Sequence, residues 1–197
     1  MDWIIRGGII MWPIMLGSVV ALYLIIERAI FLLSVLPARR KALGKVVEKI
    51  EASGKKLDVS EPANFVKAVN SAINEGAVNQ SLLMREADEL VSEAEKGLTM
   101  LNVIAQVEPL LGLLGTVTGL IRAFIEISNL GVQVTPSDLA SGIWEALITT
   151  AAGLFIGIPA LVAWMGYNRA ADRYAVFVES SVLKIIHKLS RSGLEII

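Results

Sequence analysis

The stretch Pro109-Leu-Leu-Gly-Leu-Leu-Gly-Thr-Val-Thr-Gly119 decides the fold, together with the stretch Glu145-Ala-Leu-Ile-Thr-Thr-Ala-Ala-Gly-Leu154 that follows after a short connector. Both stretches combine apolar residues with glycines and hydroxyl groups, and the second also carries a carboxylate. A lone acid in an apolar run is costly to insert into lipid, so Glu145 is a candidate functional residue. The alternative is that Glu145 lies at the outer interface, since the 23 uncharged residues that follow it are enough for a span. The two stretches predict a pair of membrane-spanning helices that carry a polar site.

Composition places the whole chain in the membrane class. Of its 197 residues 54% are hydrophobic, and the mean hydropathy is +0.63, values that a soluble domain of this length does not usually reach. The net charge of -1 gives no support for a nucleic-acid partner. The chain has no cysteine and one histidine, His187, which argues against disulfides, thiolate chemistry and a multi-histidine metal site within one chain. We expect no enzyme activity, metal or cofactor, since no nucleophile and base stand in a recognisable pattern.

Three apolar regions are long enough to cross the ~30 Å hydrocarbon core of a bilayer. The first contains 20 uncharged residues, 7–26, and lacks a signal-peptidase pattern, so it is predicted to be a retained span. The expected division of the chain is an N-terminal periplasmic end with the first span (1–36), a cytoplasmic helical region (37–96), the second span (97–128), a periplasmic loop (129–138), the third span (139–168) and a cytoplasmic helical tail (169–197).

The distribution of lysine and arginine predicts the orientation. The segment 37–96 carries ten of these residues and the tail from Arg169 carries five, whereas the connector 129–137 carries none. Basic segments stay in the cytoplasm, so we expect an inner-membrane, multi-pass protein with a periplasmic N-terminus and a cytoplasmic C-terminus.

Helical periodicity extends beyond the second and third spans. Apolar residues at spacings of three and four predict one long helix that runs from Leu83 into the second span, and Pro62 to Asn74 can form a short amphipathic helix. The tail is expected to continue the third span as a helix, although a basic amphipathic tail can also lie on the membrane surface. The predicted fold is an all-α membrane protein with three spans, the second and third extended into the cytoplasm, assembled as a ring.

Small and hydroxyl residues mark the two polar spans. Glycines at helical spacing permit close helix contacts in lipid, but plain packing within one chain is common; these helix-packing candidates are Gly112, Gly115, Gly119, Gly153 and Gly157. At about 100° per residue Thr149 shares nearly the same face as Glu145, while Thr150 turns towards the face of Gly153. A hydroxyl can also bond a carbonyl of its own helix, so threonines alone are a weak pore signal.

Two charges flank the apolar part of the second span. Between Glu108 and Arg122 there are 13 uncharged residues, about 20 Å of helix, which is less than the hydrocarbon core. Arg122 can pair with Glu126 one turn further on, near the outer surface. Glu108 either caps the inner mouth of a cavity or extends its carboxylate to the lipid headgroups.

At these residues the sequence resembles the ExbB/TolQ/MotA family of proton-channel subunits, and specifically its three-span ExbB/TolQ branch. The resemblance rests on the two stretches quoted above, extended upstream to Leu139-Ala-Ser-Gly-Ile-Trp144, on Ile158-Pro-Ala160, and on Trp12-Pro-Ile and Ile26-Glu-Arg28 in the first span. The family usually has a small or apolar residue where this chain has Glu108.

The resemblance implies a homopentamer whose second and third spans line a pore occupied by single-span ExbD-like or TolR-like helices. An aspartate of that partner carries the proton, and a TonB-like or TolA-like protein receives the force. The family's pore residues map onto Thr116, Glu145 and Thr150, and Glu108 and Thr149 are additional candidates for the pore or its mouth. The chain is therefore expected to be a proton-channel or stator subunit of an inner-membrane motor that uses proton-motive force to drive an envelope partner. The rival interpretation is a scaffold ring that conducts no protons.

Overall fold

The computed structural model describes residues 8–53, 63–75, 77–130, 136–191 and 195–196. Its elements in chain order are α1 (Met11–Ile30), a π-helical turn (Phe31–Val35), α2 (Leu36–Ser53), α3 (Ala63–Glu75), β1 (Ala77–Val78), α4 (Gln80–Glu95), α5 (Leu98–Leu130), α6 (Pro136–Arg191) and β2 (Glu195–Ile196).

The predicted all-α class with three membrane-spanning helices is confirmed. Three helical runs in the described part of the chain are long and apolar enough to cross a membrane: Met11–Ile50, Gln80–Ile125 and Gly142–Arg191. The helix predicted for Pro62 to Asn74 is α3. The predicted continuation of the third span is also confirmed, since α6 is a single helix of 56 residues with Pro159 inside it.

The prediction of one unbroken helix from Leu83 into the second span is wrong at one point. Helix α4 ends at Glu95, and α5 begins at Leu98 after a turn at Lys96 and Gly97. Gly97 has a φ of 77°, a left-handed conformation that is common at the ends of helices and that glycine adopts at little cost. The backbone therefore leaves the helical path at this residue and resumes it immediately afterwards.

The chain divides into two compact units. The first unit comprises the described parts of Met1–Glu27 and Gly97–Gly166, which contain most of α1, all of α5 and the apolar part of α6. Ile10, Met11 and Ile14 form its buried cluster near the N-terminus, and the side chains packed against this cluster are Leu111, Ile148, Ala152 and Ile156. The first span therefore packs against both polar spans.

The second unit comprises the described parts of Arg28–Lys96 and Tyr167–Ile197. Its interior is made of large apolar side chains with almost no exposed surface, including Leu43, Ile50, Phe65, Leu83, Val182 and Leu189. The short strands β1 and β2 pair in parallel, with Ala77 opposite Glu195 and Val78 opposite Ile196. The sequence analysis did not predict these strands.

Candidate functional site

Helices α5 and α6 approach each other closely along a seam of glycines. A Cβ added to Gly112 would lie 2.9 Å from the carbonyl oxygen of Thr149, and one added to Gly119 would lie 3.0 Å from the Cβ of Ala146. From the other helix, a Cβ on Gly153 would lie 3.1 Å from the Cα of Gly112. Backbone meets backbone here, as expected where packing rather than the hydrophobic effect holds helices together in lipid.

All five predicted packing glycines lie at this seam. A Cβ on Gly115 would meet the Thr149 side chain, and one on Gly157 would lie 2.5 Å from the Cγ of Pro109. The sequence analysis missed Gly142, where an added Cβ would lie 2.5 Å from the Cβ of Ala123. Its signal was available, since Gly142 lies eleven residues before Gly153, which is three helical turns.

The two threonines of α6 both contact α5. The Thr150 hydroxyl donates a hydrogen bond of 2.8 Å to the carbonyl oxygen of Gly112, and this bond joins residues 38 positions apart. The Thr149 hydroxyl donates to the Ala146 carbonyl at 2.8 Å within its own helix, and its side chain is only 1% exposed. Thr149 is therefore a packing residue of the seam in this structure, and its suggested place in a pore stays a prediction.

The predicted pore residues Thr116 and Thr150 lie on the flank of the helix pair away from α1. Viewed down the axis of α5, Thr116 lies about 40° from Gly112 in one direction. Leu111, which packs against α1, lies about 100° from Gly112 in the opposite direction. Both threonines are half-buried.

The same comparison holds on α6. Relative to Gly153, Thr150 is turned about 60° to one side, while Ala152 and Ile156, which also pack against α1, are turned about 100° and 60° to the other. The helix pair thus presents two hydroxyl-bearing residues on the flank that α1 does not cover.

Two amides extend this polar flank along α5, and the sequence analysis missed them. Gln106 donates a hydrogen bond of 2.7 Å from its side-chain nitrogen to the side-chain oxygen of Asn102. Asn102 lies within about 40° of Thr116 around the helix axis. Two amide residues four positions apart, on the same helix as Thr116, were the sequence pattern that could have predicted this extension.

The structure describes the side chain of Glu108 but not that of Glu145. Glu145 is part of α6, but its side chain lies outside the described residues. Glu108 is described and is only 3% exposed, with its carboxylate against Gly17 of α1. Its own chain encloses it, and its suggested place at a pore or mouth stays a prediction.

The structure describes only one of the two side chains in the predicted pair of Arg122 and Glu126. The Arg122 side chain is exposed, whereas that of Glu126 lies outside the described residues. Among the side chains that the structure describes, no group of three or more potential metal ligands lies together.

Comparison with known proteins places this pair of helices in a family. Residues 57–180 match the model of the MotA/TolQ/ExbB proton channel family. The chain is 34% identical to the biopolymer transport protein ExbB-like 1 of Synechocystis over 174 residues, 83% of this chain and 68% of that protein. It is 28% identical to the biopolymer transport protein exbB1 of Vibrio cholerae over 186 residues, 89% of this chain and 82% of that protein.

A third relative comes from the other half of the same branch. The chain is 39% identical to the Tol-Pal system protein TolQ of Haemophilus influenzae over 119 residues, 60% of this chain and 46% of that protein. The family match covers α3 to the tail part of α6, including both polar spans and the glycine seam. This multi-pass inner-membrane chain therefore belongs to the MotA/TolQ/ExbB proton channel family, in its ExbB/TolQ branch.

Proposed function

We propose that copies of this chain form the pore ring of an inner-membrane motor in which proton movement does work on an envelope partner. The observation that carries the proposal is the polar flank of α5 and α6, where Thr116 and Thr150 lie on the side away from α1. Lipid-facing positions are cheapest to fill with apolar side chains, so hydroxyls on an uncovered flank fit a water-containing axis better than a lipid surface.

A partner supplies the proton carrier. Thr116 and Thr150 order water but do not titrate, and a charge gains ~2.3 kcal/mol per 100 mV only when some group carries it across the membrane. A single-span ExbD-like or TolR-like helix with an intramembrane acid, placed on the polar flank, completes such a path. A TonB-like or TolA-like protein then receives the mechanical work.

Proton flux in liposomes that contain this chain and its partner tests the pore. Thr116→Val and Thr150→Val keep the side-chain shape and remove one hydroxyl each, and both variants are expected to assemble and to lose proton flux. Thr118→Val is the matched control, because the Thr118 hydroxyl bonds the Leu114 carbonyl of its own helix at 3.0 Å, just as the Thr116 hydroxyl bonds the Leu113 carbonyl at 2.6 Å. The two residues differ in that Thr118 lies on the α1 flank of the helix. Unchanged flux in assembled Thr116→Val and Thr150→Val rings contradicts the pore.

Glu145 is proposed to organise water near the titrating group of the partner. Glu145→Gln keeps the size and much of the hydrogen bonding, whereas Glu145→Ala removes both. Flux is therefore expected to fall in both variants and further in Glu145→Ala. Equal flux in the wild type and in assembled Glu145→Ala rings removes Glu145 from the site.

A scaffold ring that conducts no protons is the second candidate, and one observation favours it. The Thr150 hydroxyl is already engaged by the Gly112 carbonyl at 2.8 Å, a bond that serves helix packing without any pore. On the scaffold hypothesis Thr150→Val weakens the α5–α6 contact, and flux changes only as far as assembly changes. Measuring ring assembly beside flux separates the two functions.

Assembly and orientation have separate tests. Native mass spectrometry in mild detergent is expected to give a homopentamer, with or without partner chains, and a stable monomer contradicts the ring. In intact cells a cysteine at Gln133 is expected to react with a membrane-impermeant reagent, while cysteines introduced between Arg39 and Lys96 are not. The reverse labelling pattern contradicts the orientation.

A further inference from the structure

Glu108 of α5 is a buried acid that contacts both α1 and α6. Its side chain is 3% exposed. A Cβ added to Gly17 of α1 would overlap its Oε1 atom and lie 2.8 Å from its carboxyl carbon. On the α6 side, Gly153 packs against the Glu108 backbone. The carboxyl thus occupies space that α1 provides by having no side chain at Gly17.

One oxygen of this carboxyl lacks a partner. Within the described residues, Oε2 of Glu108 is buried and has no hydrogen-bond donor within reach. A buried carboxylate ordinarily accepts several hydrogen bonds or faces a cation, because burial without such partners strongly disfavours the charge. The structure offers this oxygen neither.

No described charge faces Glu108 from the helices packed around it. On α1 the residues from Gly8 to Ile26 carry no charge, and the one titratable side chain among them, Tyr23, is exposed. On α6 the run from Ala146 to Asn168 is likewise uncharged, with the titratable Tyr167 near its end.

The remaining titratable groups of α5 and α6 are distant along their helices. Arg122 lies 14 residues beyond Glu108 on α5, about 21 Å of helix. Glu145 lies eight residues from Gly153, about 12 Å. No cation on these helices therefore offsets an ionised Glu108 at close range.

We propose that Glu108 is a proton-binding site within each protomer, separate from the polar flank of Thr116 and Thr150. The proton adds to a carboxylate oxygen and leaves from the same oxygen, with no other bond changed. The neutral acid fits the apolar contact with Gly17, whereas the ionised form draws water or a cation into the contact between α1 and the α5–α6 pair. The site goes beyond the proposed pore and does not depend on its being correct.

Infrared spectroscopy of the purified full chain in lipid nanodiscs tests the charge state directly. A protonated carboxyl has a C=O stretch that a carboxylate lacks, and isotope-labelled glutamate shifts that band away from those of aspartate and the lipid esters. At neutral pH the wild type is expected to show one such buried-acid band per chain. Glu108→Gln is expected to lose it, and Glu179→Gln, which changes an exposed glutamate, is expected to keep it.

The same sample gives a titration. As the pH rises past the midpoint of the site, the protonated fraction falls about tenfold per pH unit, and the band is expected to disappear with that dependence. Glu108→Asp guards against a variant that does not fold, since it removes the labelled-glutamate band while retaining an acid. Identical labelled-glutamate bands in the wild type and either Glu108 variant overturn the proposal, as does the absence of the band in the wild type at neutral pH.

A double-mutant cycle tests the contact with α1 without reference to proton flux. Gly17→Ala places a methyl group where the carboxyl lies and is expected to lower the melting temperature at neutral pH. The loss is expected to shrink in the Glu108→Ala background, where the space is free. Gly166→Ala is the control, because nothing lies within 4 Å of a Cβ added there. Equal losses from Gly17→Ala in both backgrounds contradict the contact on which the site depends.

Discussion

The interiors of the two units of this chain are stabilised by different kinds of contact. In the first unit the α5–α6 contact is made by glycines, threonines and backbone atoms, and large apolar side chains such as Phe124 and Phe155 point outwards. In the second unit the large apolar side chains point inwards, and charged groups such as Arg39 and Glu93 pair near the surface. The same chain thus follows one packing rule suited to lipid and another suited to water.

The difference has a practical meaning for mutations. In the second unit the removal of bulk from a buried side chain should destabilise most, because burial of apolar surface away from water is what stabilises it. In the first unit the addition of bulk at the seam should destabilise most, because there is no space between the backbones. The following predictions test that contrast, in order of expected effect.

Leu43→Ala is expected to have the largest effect on stability. Leu43 has no exposed surface, and Leu→Ala in a packed core costs about 2–5 kcal/mol. Leu183→Ala in the same unit is the control, because Leu183 is 48% exposed, and its cost should stay below about 1 kcal/mol. Thermal unfolding in detergent measures the stability of both variants. Equal losses of stability contradict the view that the second unit has a hydrophobic core like that of a water-soluble protein.

Gly153→Ala is expected to destabilise by about 1–3 kcal/mol, the usual range for overpacking. The added methyl group meets the backbone of Glu108 and the Cα of Gly112, and backbone atoms cannot rotate away. Gly166→Ala should instead be neutral or stabilise by about 0.4–1 kcal/mol, since alanine restricts the unfolded chain and an open helical site accepts it. A Gly153→Ala protein as stable as the wild type contradicts the close seam.

The Arg39–Glu93 ion pair is expected to contribute only about 0.2–1 kcal/mol. Its side chains are 27% and 48% exposed, so water and salt screen the pair. A double-mutant cycle with Arg39→Gln and Glu93→Gln at low and high salt isolates this contribution. Arg28 complicates it only slightly, because its guanidinium donates to the Glu93 carbonyl at 3.1 Å and that acceptor survives the substitution.

Ionisation of the Tyr174 hydroxyl is expected to lower the stability of the protein at alkaline pH. Burial raises the pKa of its hydroxyl above the usual 10.0, and nearby Arg39 lowers it and Glu93 raises it by smaller amounts. Because the folded-state pKa exceeds the unfolded one, the stabilisation is fully present below about pH 10 and is lost as the pH rises through the folded-state pKa. Tyr174→Phe should remove this alkaline loss, and the same pH dependence in both proteins contradicts it.

Hydropathy and spacing were sufficient to predict the three spans, the short helix α3, the helical tail of α6 and five of the six glycines described at the seam. Long apolar runs fix the spans, and the absence of glycine and proline between Gly166 and Gly193 predicts the unbroken tail of α6. The break at Gly97 was missed because one glycine in a strong helical pattern is usually tolerated. The two-residue strands are too short to show any periodicity.

Contacts between distant segments could not be read from spacing. The angle of Thr150 around the axis of α6 predicts that it faces α5, but it does not give the level along α5 that it reaches. It could therefore not identify the Gly112 carbonyl as the acceptor. The contact between Glu108 and Gly17 joins residues that are 91 positions apart in sequence, and it depends on the relative depth of their two spans in the membrane. Local pattern contains no information about that depth, and packing determines it.

The π-helical turn has a consequence for insertions and deletions. Leu36 donates its backbone N–H to the Phe31 carbonyl, five residues earlier, so this turn accommodates one residue more than an α-helical turn. Deleting Leu33, which is 80% exposed, is expected to restore α-helical geometry to this turn. The same deletion at Gly44 would rotate the rest of α2 by about 100° and turn Val46 and Ile50 out of the core. The π-helical turn is therefore the place in this stretch where the loss of one residue disturbs the helical hydrogen bonds least.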